Sequence, residues 1–311
     1  MDKLMNEVRE RPYAILDVFT EMPFKGNPLA VVLDGQGLSD EMMQVIAAEF
    51  NLSETVFVFP PHDASNAASI RIFTPSAELP FAGHPTVGTA VLLAKQKIGA
   101  VDLPTDVAIA LEEKAGLVRT GVVVKPGKLG HATFTLPDSP AAVAPAVSRV
   151  HIAEALGIHE DDIGFDKYQP GVYSAGVPFT LVPLGSLNAI KQIKPNPAAW
   201  ERAFETAERD NAFVYARGGE SDNAAFHARM FWPKAGIAED PATGSAVAAL
   251  AGAIMEFENL SDGHYSFLIE QGFEMGRASD IMLEIDVEDG DFFAARIGGS
   301  AVIVAEGTLY A

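Results

Sequence analysis

The sequence predicts an α+β protein of two similar domains, in each of which a sheet wraps around one central buried helix. Three observations support this prediction. A stretch near residue 71 recurs, altered, near residue 229. In both copies a strand-like segment leads into a long segment without charged residues, as expected for a helix that is buried on all sides. Short strand-like runs fill most of the remaining sequence in both halves.

The repeat consists of two motifs that occur twice in the same order. The first copy reads Arg71-Ile72-Phe73-Thr74-Pro75 and then Ala82-Gly83-His84-Pro85-Thr86. The second copy reads Arg229-Met230-Phe231-Trp232-Pro233 and then Glu239-Asp240-Pro241-Ala242-Thr243-Gly244-Ser245. The alignment places His84 opposite Asp240. Such a repeat indicates a duplicated fold, and because the matched positions carry different titratable groups, we expect the two halves to build one site between them.

Each uncharged helix is predicted to start at the second motif of its copy. Pro85 and Pro241 suit the first helical position, where a backbone N–H has no intrahelical partner anyway. Asp240 fits an ordinary helix N-cap, whereas His84 is a poor N-cap and needs another explanation. A buried helix N-terminus presents unpaired N–H groups and the positive end of the helix dipole, which suit an anion such as a small carboxylate. A pair of capped core helices with a purely structural role is the alternative.

The other elements follow in chain order. A polar leader over residues 1–11 precedes strands at Tyr13–Thr20 and Leu29–Leu33. Ser39 can cap an amphipathic helix, which is followed by a strand at Val56–Phe59. The elements predicted for the second half are a short helix at 150–157, strands toward Val182, a helix from Pro197 to Asp210, and strands at Ile281–Val287, Phe292–Ile297 and Ala301–Val304.

The domain boundary is predicted in the segment rich in Ala and Pro that runs from Pro137 to Pro145. The first domain then covers residues 1–137, the linker 138–149 and the second domain 150–299. The final residues, 300–311, could return to the first domain. A chain of 311 residues is long enough for two domains.

The composition narrows the possible partners and chemistry. The formal net charge of −20, from 22 Lys and Arg against 42 Asp and Glu, argues against nucleic acid or an anionic membrane surface as a partner. An anionic substrate would therefore need a locally positive pocket, which helix N-termini supply. The chain has no cysteine, which excludes disulfides, thiolate catalysis and metals ligated by cysteine.

The sequence predicts a soluble, cytoplasmic protein. Residues 1–11 are charged throughout and lack the apolar core of a signal peptide. The longest uncharged run, from Tyr168 to Ile190, is interrupted by Pro170, Pro178 and Pro183 and is typical of buried strands linked by turns.

Glu54 is the best candidate for a general acid or base. It precedes the apolar run Val56–Phe59, where burial would raise the pKa of its carboxyl and suit it to proton transfer near neutral pH. A glutamate that faces water at the start of a strand is the alternative. The histidines show no metal-ligand spacing, so we predict no metal site. The sequence also contains neither a glycine motif for dinucleotides nor the nucleophile elbow of a serine hydrolase.

Further blocks of sequence extend these motifs over nearly the whole chain. They are Asp17-Val18-Phe19, Gly26-Asn27-Pro28, Asn51-Leu52-Ser53-Glu54-Thr55, Glu270-Gln271-Gly272, Gly298-Gly299 and Glu306-Gly307-Thr308. Together with the two copies of the repeat, these blocks resemble the PhzF-like family of phenazine-biosynthesis isomerases, which belongs to the diaminopimelate-epimerase superfamily.

The resemblance implies two similar barrel-like domains and a cofactor-independent isomerase in which Glu54 moves a proton. It implies supporting catalytic positions at His84, Asp240 and Ser245, and substrate-binding positions at Asn27, Gly83 and Gly244. We also expect a homodimer. In diaminopimelate epimerases the two helix starts carry paired catalytic cysteines, and because His84 and Asp240 stand there instead, inversion by two thiols is excluded.

The expected activity is an isomerisation that moves a proton, and with it a double bond, in a small carboxylate-bearing metabolite such as one resembling dihydro-3-hydroxyanthranilate. Glu54 would abstract and return the proton, and no cofactor would be required. Two alternatives remain open. One is a two-base epimerase or racemase of a hydroxy- or amino-acid-like substrate, and the other is a non-catalytic protein that binds small carboxylates. The titratable group at position 54 favours catalysis.

Overall fold

The structure is a computed structural model that describes residues 8–127, 129–144, 148–204 and 210–311. Its strands are β1 (Glu10–Val18), β2 (Asn27–Val32), β3 (Glu54–Phe59), β4 (Ala68–Phe73), β5 (Glu78–Leu79), β6 (Thr105–Glu113), β7 (Gly116–Val124), β8 (Leu129–Thr135), β9 (Ala141–Ala144), β10 (Gly171–Ser174), β11 (Pro178–Pro183), β12 (Ala212–Arg217), β13 (Ala224–Trp232), β14 (Ile237–Asp240), β15 (Gly263–Gln271), β16 (Ser279–Glu288) and β17 (Asp291–Tyr310). Its helices are α1 (Asp40–Phe50), α2 (Gly83–Ile98), α3 (Arg149–Leu156), α4 (Leu187–Gln192), α5 (Pro197–Phe204) and α6 (Gly244–Glu258). None of these helices is long and apolar enough to cross a membrane.

The chain divides into two compact units. The first unit contains the residues up to Phe134 together with Gly299–Ala311, and the second unit contains Thr135–Gly298. The long strand β17 therefore contributes its first part to the second unit and its last part to the first unit.

The first unit is a closed barrel of eight strands. Their order around the barrel is β1, β2, β3, β4, β6, β7, β8 and the C-terminal part of β17. The pairs β2–β3 and β4–β6 are parallel. The barrel closes because β17 pairs with β8 and, over Ala301–Tyr310, with β1.

Helix α2 is the central helix of this barrel. Its residues from Gly83 to Leu92 are all buried, and it packs against β1, β2, β3, β6 and β7. Gly88 permits the close approach to the sheet, since a Cβ at this position would lie 2.6 Å from Cδ2 of Leu29. Charged residues appear only in the last turn, where Nζ of Lys95 donates to the backbone carbonyl of Lys125 at 3.0 Å. The prediction of a helix buried on all sides is confirmed for this half.

Helix α1 packs against β3 and β4 of the same unit. Its predicted cap is confirmed, because Oγ of Ser39 accepts a hydrogen bond from the N–H of Met42 at 3.2 Å. Met43 and Ile46 belong to the hydrophobic cluster that covers Phe57. The amphipathic pattern read from the sequence thus corresponds to the face that α1 buries.

The second unit repeats this topology. Its strand order is β9, β10, β11, β12, β13, β15, β16 and the N-terminal part of β17, with β11–β12 and β13–β15 parallel. The N–H of Leu136 donates to the carbonyl of Ala295 in β17 at 2.9 Å. Helix α6 is the central helix and is buried from Ala246 to Ile254. The predicted α+β fold, with one sheet around one buried helix in each half, is confirmed.

Matching ion pairs show how the two units correspond. Nε of Arg71 donates to Oε1 of Glu78 at 2.7 Å, and Nε of Arg229 donates to Oε1 of Glu239 at 2.8 Å. In each unit the glutamate lies on a short strand, β5 or β14, that pairs with the strand of its arginine. The second unit has three more residues between the partners, since 239 − 229 is 10 and 78 − 71 is 7.

This correspondence corrects the alignment of the two helix starts. Helix α2 begins at Gly83 and helix α6 begins at Gly244. His84 therefore matches Ser245 as the second residue of its helix, and the sequence alignment of His84 with Asp240 was wrong. The extra residues of the second unit displace Asp240 to the end of β14, before the helix.

The prolines do not start the helices as predicted. Pro85 is the third residue of α2, and Pro241 lies in the turn before α6. The N-cap positions are Ala82 and Thr243, so the interpretation of Asp240 as an N-cap was also wrong.

Some predicted boundaries shift. Strand β1 begins inside the predicted leader because Arg11 is buried, and its Nε donates to the carbonyl of Ala311 at 3.0 Å. Part of the predicted linker, Ala141–Ala144, forms β9 and pairs with β10. Residues 1–7, 145–147 and 205–209, on which parts of the predicted leader, linker and helix before Asp210 fall, lie outside the described residues.

Candidate active site

Glu54 is the first residue of β3, and its side chain is only 13% exposed. Helix α1 ends before it because Asn51 adopts a left-handed φ of 51° and donates its N–H to the carbonyl of Ala47. Strand β3 then runs parallel to β2, with Glu54 opposite Leu29. Glu54 is therefore not the water-facing glutamate of the alternative interpretation.

His84, in the first turn of α2, is the group that faces Glu54. Its Nε2 lies 3.2 Å from Oε2 of Glu54, and its side chain is 6% exposed. Burial lowers the pKa of His84 to about 3. The imidazole is consequently neutral at neutral pH and is able either to donate a hydrogen to Glu54 or to accept one from it.

The start of α2 lacks a side-chain cap. The N-cap residue Ala82 makes no side-chain hydrogen bond to the helix. Gly83 and His84 follow with backbone N–H groups, and Pro85 has none. Since helix N-termini carry a positive partial charge, this end of α2 is suited to stabilise negative charge next to His84.

Asn27 lies at the same end of β2 as Leu29, which pairs with Glu54 on β3. It is the first residue of β2, two positions before Leu29, and it is fully buried. Gly26 sets its position, because φ is 65° there and a Cβ would lie 2.2 Å from the carbonyl oxygen of Val18. The first unit thus places the predicted residues Asn27, Gly83, Glu54 and His84 on neighbouring strand and helix starts.

Asp240 is held in the second unit by residues that the sequence analysis did not single out. Oγ1 of Thr243 donates to Oδ2 of Asp240 at 2.5 Å. Nε2 of Gln271 donates to Oγ1 of Thr243 at 2.9 Å and to the backbone carbonyl of Asp240 at 2.8 Å. Oε1 of Gln271 accepts the N–H of Thr243 at 3.0 Å. This network fixes both the backbone and the carboxylate of Asp240 in the turn before α6.

Ser245 is the second residue of α6 and is half-buried. It follows Gly244, the first residue of the helix, as His84 follows Gly83 in the first unit. Each unit therefore presents a glycine and then a side chain with a proton-carrying atom at the start of its central helix.

Glu113 is a further buried titratable residue that the sequence analysis missed. It is the last residue of β6 and is 8% exposed. In the sequence it belongs to the run Glu112-Glu113-Lys114, which resembles a solvated turn. The available signal was the alternation of β6, which places Glu113 on the same buried face as Ile109 and Leu111.

Within the described ranges, no group of three or more His, Cys, Asp or Glu side chains is arranged to hold a metal ion. In the first unit, the predicted acid–base residues Glu54 and His84 contact each other directly.

The sequence matches the family described as phenazine biosynthesis-like protein over residues 16–307. It is 45% identical to an uncharacterized isomerase from Mesorhizobium japonicum, over 97% of this chain and 100% of that protein. It is 32% identical to the trans-2,3-dihydro-3-hydroxyanthranilate isomerase of Pseudomonas chlororaphis, over 96% of this chain and 98% of the relative.

A solved structure shows the same fold. The phenazine biosynthesis protein of the PhzF family from Bacillus anthracis superposes with a TM-score of 0.85 and 26% identity, over 97% of this chain and 99% of that one. The family match covers most of the chain, and the relatives match over almost their full length. The chain belongs to the phenazine biosynthesis-like family and is an isomerase of that family.

Proposed function

We propose that this protein catalyses a cofactor-independent isomerisation in which Glu54 removes a proton from one carbon of a small carboxylate-bearing metabolite and returns it to another. The double bond moves in the opposite sense, and no atom is gained or lost. The observation that carries the proposal is the buried contact of 3.2 Å between Glu54 and His84 beside an uncapped helix start.

In this mechanism Glu54 is the general base and then the general acid. A general base must come within about 3 Å of the proton that it removes, and a buried carboxylate at a strand start can present an oxygen to a bound substrate at that distance. The neutral imidazole of His84 lies 3.2 Å from the carboxylate through Nε2 and can relay the proton between the two carbons.

The start of α2 would stabilise the charge that develops when the proton leaves. Negative charge then spreads from the carbon toward the adjacent carboxylate, and N–H groups aimed at that charge lower the barrier. We assign this role to the backbone of Gly83 and His84 and propose that Asn27 contributes to substrate binding.

We further propose that Asp240, Gly244 and Ser245 act in the same reaction. Asp240 is fixed by Thr243 and Gln271, and Ser245 occupies the position in α6 that His84 occupies in α2. A shared reaction predicts that the losses of activity in Glu54→Gln and Asp240→Asn do not add in free energy, whereas independent sites would give additive losses.

The substrate class is a cyclic or linear acid with a hydrogen on the carbon next to a double bond. The relative named trans-2,3-dihydro-3-hydroxyanthranilate isomerase supports that compound as the first substrate to test. A panel of related cyclic amino and hydroxy acids would follow it.

The test is solvent-deuterium incorporation into the turned-over substrate by purified enzyme. We expect label at a new carbon for the wild type and a rate lower by about 10²-fold to 10⁴-fold for Glu54→Gln, which cannot accept the proton. Glu49→Gln, an exposed glutamate of α1, is the matched control and should exchange at the wild-type rate.

Other results would contradict the proposal. Retention of more than about a tenth of the exchange by Glu54→Gln would transfer the role to another residue. Label at the original carbon with inversion would identify a two-base epimerase. Carboxylate binding without exchange of any substrate in the panel would identify a binding protein.

A further inference from the structure

The hydroxyl of Thr86, in the first turn of α2, lies between two oxygen atoms. Oγ1 of Thr86 is 2.8 Å from the backbone carbonyl oxygen of Ala82 and 2.8 Å from Oε1 of Glu113. Both distances are those of hydrogen bonds between oxygen atoms. The first partner is the N-cap residue of α2, and the second is the buried glutamate at the end of β6.

The two contacts require two hydrogens, and the hydroxyl has only one. The carbonyl of Ala82 has no hydrogen to give, so Thr86 must donate to Ala82. The contact with Glu113 is then satisfied only if the carboxyl group of Glu113 carries a hydrogen and donates it to Oγ1 of Thr86. If Glu113 were ionised, the hydroxyl of Thr86 could supply a hydrogen to only one of its two partners, and the other contact would be a close approach of two oxygen atoms without a hydrogen bond.

The surroundings of Glu113 also favour the neutral acid. Its Oε2 is buried and makes no hydrogen bond within the described part of the structure. Burial is the largest influence on this carboxyl and raises the pKa of Glu113 to about 8.

The titratable groups on the neighbouring elements do not offset this burial. His84 of α2 is neutral, as its lowered pKa shows. Lys114, in the turn after β6, donates its Nζ to Oε2 of Glu78 on β5 at 3.2 Å. Glu112 holds the backbone N–H groups of the turn between β3 and β4.

The second unit has a residue in the position of Glu113. Ala68 pairs with Leu111 in the first unit, and Phe226 pairs with Ile269 in the second. Counting two residues onward along β6 and β15 matches Glu113 with Gln271.

The glutamates one position earlier support this match. Glu112 accepts the N–H groups of His62 and Asp63, and Glu270 accepts those of Glu220 and Ser221. Each glutamate therefore holds the turn that precedes β4 or β13, which are equivalent strands of the two units.

Gln271 cannot ionise, so its contacts show which hydrogen bonds a neutral side chain makes at this position. Its amide donates to Oγ1 of Thr243 and to the carbonyl of Asp240, at the start of α6. A protonated Glu113 would do the same for α2, by donating to Oγ1 of Thr86, which passes a hydrogen bond to the carbonyl of Ala82.

We propose that Glu113 is a positioning residue that works as a neutral carboxylic acid and orients the start of α2 through Thr86, as Gln271 orients the start of α6. The carbonyl of Ala82 and the N–H of Gly83 belong to one rigid peptide group. Fixing the carbonyl therefore fixes the direction of the N–H that precedes His84. The kinetic part of this inference rests on the proposed function, whereas the protonation state does not.

The first test measures the protonation state by denaturant unfolding of the wild type and Glu113→Gln at several pH values. Between about pH 5 and about pH 8 the folded wild type holds a proton that the unfolded chain has lost. Rising pH therefore favours unfolding of the wild type, and its unfolding constant relative to that of Glu113→Gln should increase about tenfold per pH unit.

Glu112→Gln is the matched control for this measurement. The hydrogen bonds from Asn66 and from the turn at Asp63 and His62 lower the pKa of Glu112 to about 2. Its titration is complete below about pH 5. The ratio of the unfolding constant of the wild type to that of Glu112→Gln should therefore not change with pH above that value. A ratio of unfolding constants that is also independent of pH for Glu113→Gln would overturn the proposal. Failure of Glu113→Gln to fold at about pH 8 would overturn it too, because the neutral amide should replace the protonated acid as a donor.

The second test uses the exchange assay. We expect Glu113→Gln to keep its kcat within about threefold of the wild type, and Glu113→Ala and Thr86→Val to lose about tenfold or more, because the hydrogen bond that orients the helix start is gone. An alkaline decline of wild-type kcat near the pKa of Glu113 should disappear in Glu113→Gln. Equal losses in Glu113→Gln and Glu113→Ala, or an unchanged alkaline decline, would contradict the positioning role. The unfolding measurement still decides the protonation state if no substrate of the panel exchanges.

Discussion

The hydroxyl of Thr243 donates a hydrogen bond to the carboxylate of Asp240, and the two oxygen atoms are 2.5 Å apart. Replacing Thr243 with Val keeps the shape of the side chain and removes this donor. Because hydrogen bonds to charged groups contribute about 1.5 to 3 kcal/mol, we expect kcat of the isomerisation to fall about 10-fold to 100-fold. Steady-state kinetics of the purified variant would measure the loss.

Thr135→Val, at the exposed end of β8, is the control for the same change in side chain. It should leave kcat unchanged. A Thr243→Val variant with wild-type kcat would show that the orientation of Asp240 does not limit turnover.

We expect His84 to stay neutral throughout the pH range in which the enzyme works. Burial depresses its pKa from 6.5 to about 3. Burial of the neutral imidazole is therefore compatible with full stability above pH 6.5. As the pH falls from 6.5 toward about 3, the unfolded chain binds a proton at His84 that the folded chain does not, and the free energy of unfolding decreases. Ring NMR signals of His84, assigned with a His84→Gln variant, should not titrate between about pH 5 and about pH 8. A midpoint near 6.5 would contradict the effect of burial.

The packing of α2 predicts the effect of adding one methyl group at Gly88. A Cβ there would lie 2.6 Å from Cδ2 of Leu29 and 2.8 Å from Cγ2 of Val18. Overpacking typically costs about 1 to 3 kcal/mol, whereas alanine favours a helix by up to about 1 kcal/mol, so Gly88→Ala should lower the free energy of unfolding. Denaturant unfolding would measure the change.

Gly121→Ala, on β7, provides the contrast, because a Cβ there meets no atom within 4 Å. Its free energy of unfolding should equal or exceed that of the wild type. Equal stabilities of the two variants would show that α2 moves away from the sheet at little cost.

A buried histidine in the second unit predicts a pH-dependent stability. Nδ1 and Nε2 of His227 lie 3.1 Å from Glu270 and Glu274, respectively. Burial by itself lowers the pKa of His227, but the two carboxylates outweigh it and the net shift is upward from 6.5. The pairing therefore stabilises the fold fully below pH 6.5, and the stabilisation is lost as the pH rises through the pKa of the folded state.

We expect His227→Gln to lower the free energy of unfolding by about 3 to 5 kcal/mol at about pH 6, because it leaves the buried Glu270 without its positively charged partner, and by less at about pH 9. His62→Gln removes an exposed histidine that also contacts a glutamate, and it should cost less than about 1 kcal/mol. Unfolding curves at both pH values would measure the differences. If His227→Gln lowered the free energy of unfolding by the same amount at both pH values, the prediction that the imidazole of His227 is charged at the lower pH would be wrong.

The fold could be predicted because its strongest signals are local in the sequence. The uncharged segments after His84 and Asp240 can only be buried helices, and both are the central helices of their units. The helix starts were harder to place, because the repeated prolines are a local feature while the register depends on the pairing of Arg71 with Glu78 and of Arg229 with Glu239. Proline positions are thus a weaker guide than ion pairs between strands.

The site could be predicted only in part, for a similar reason. Glu54 and His84 were chosen from motifs, and the structure places them in contact. Thr86, the partner of Glu113, is distant in sequence, so only the alternation of β6 marks Glu113 as buried. Thr243 contacts Asp240 within an ordinary turn, and no local pattern marks its role. The catalytic roles of Glu54, His84, Asp240 and Ser245 stay predictions that the variants above would test.

The pairing of Glu10 with Tyr310 sets the order in which the protein can fold during synthesis. While the chain is being made, β1 and β8 leave the ribosome long before the part of β17 that closes the first barrel. The sheet edges of β1 and β8 therefore stay unpaired until that part of β17 has been made, and exposed edges of this kind recruit other strands. The second unit lies almost entirely before that closing segment, so the N-terminal unit, although made first, is completed last.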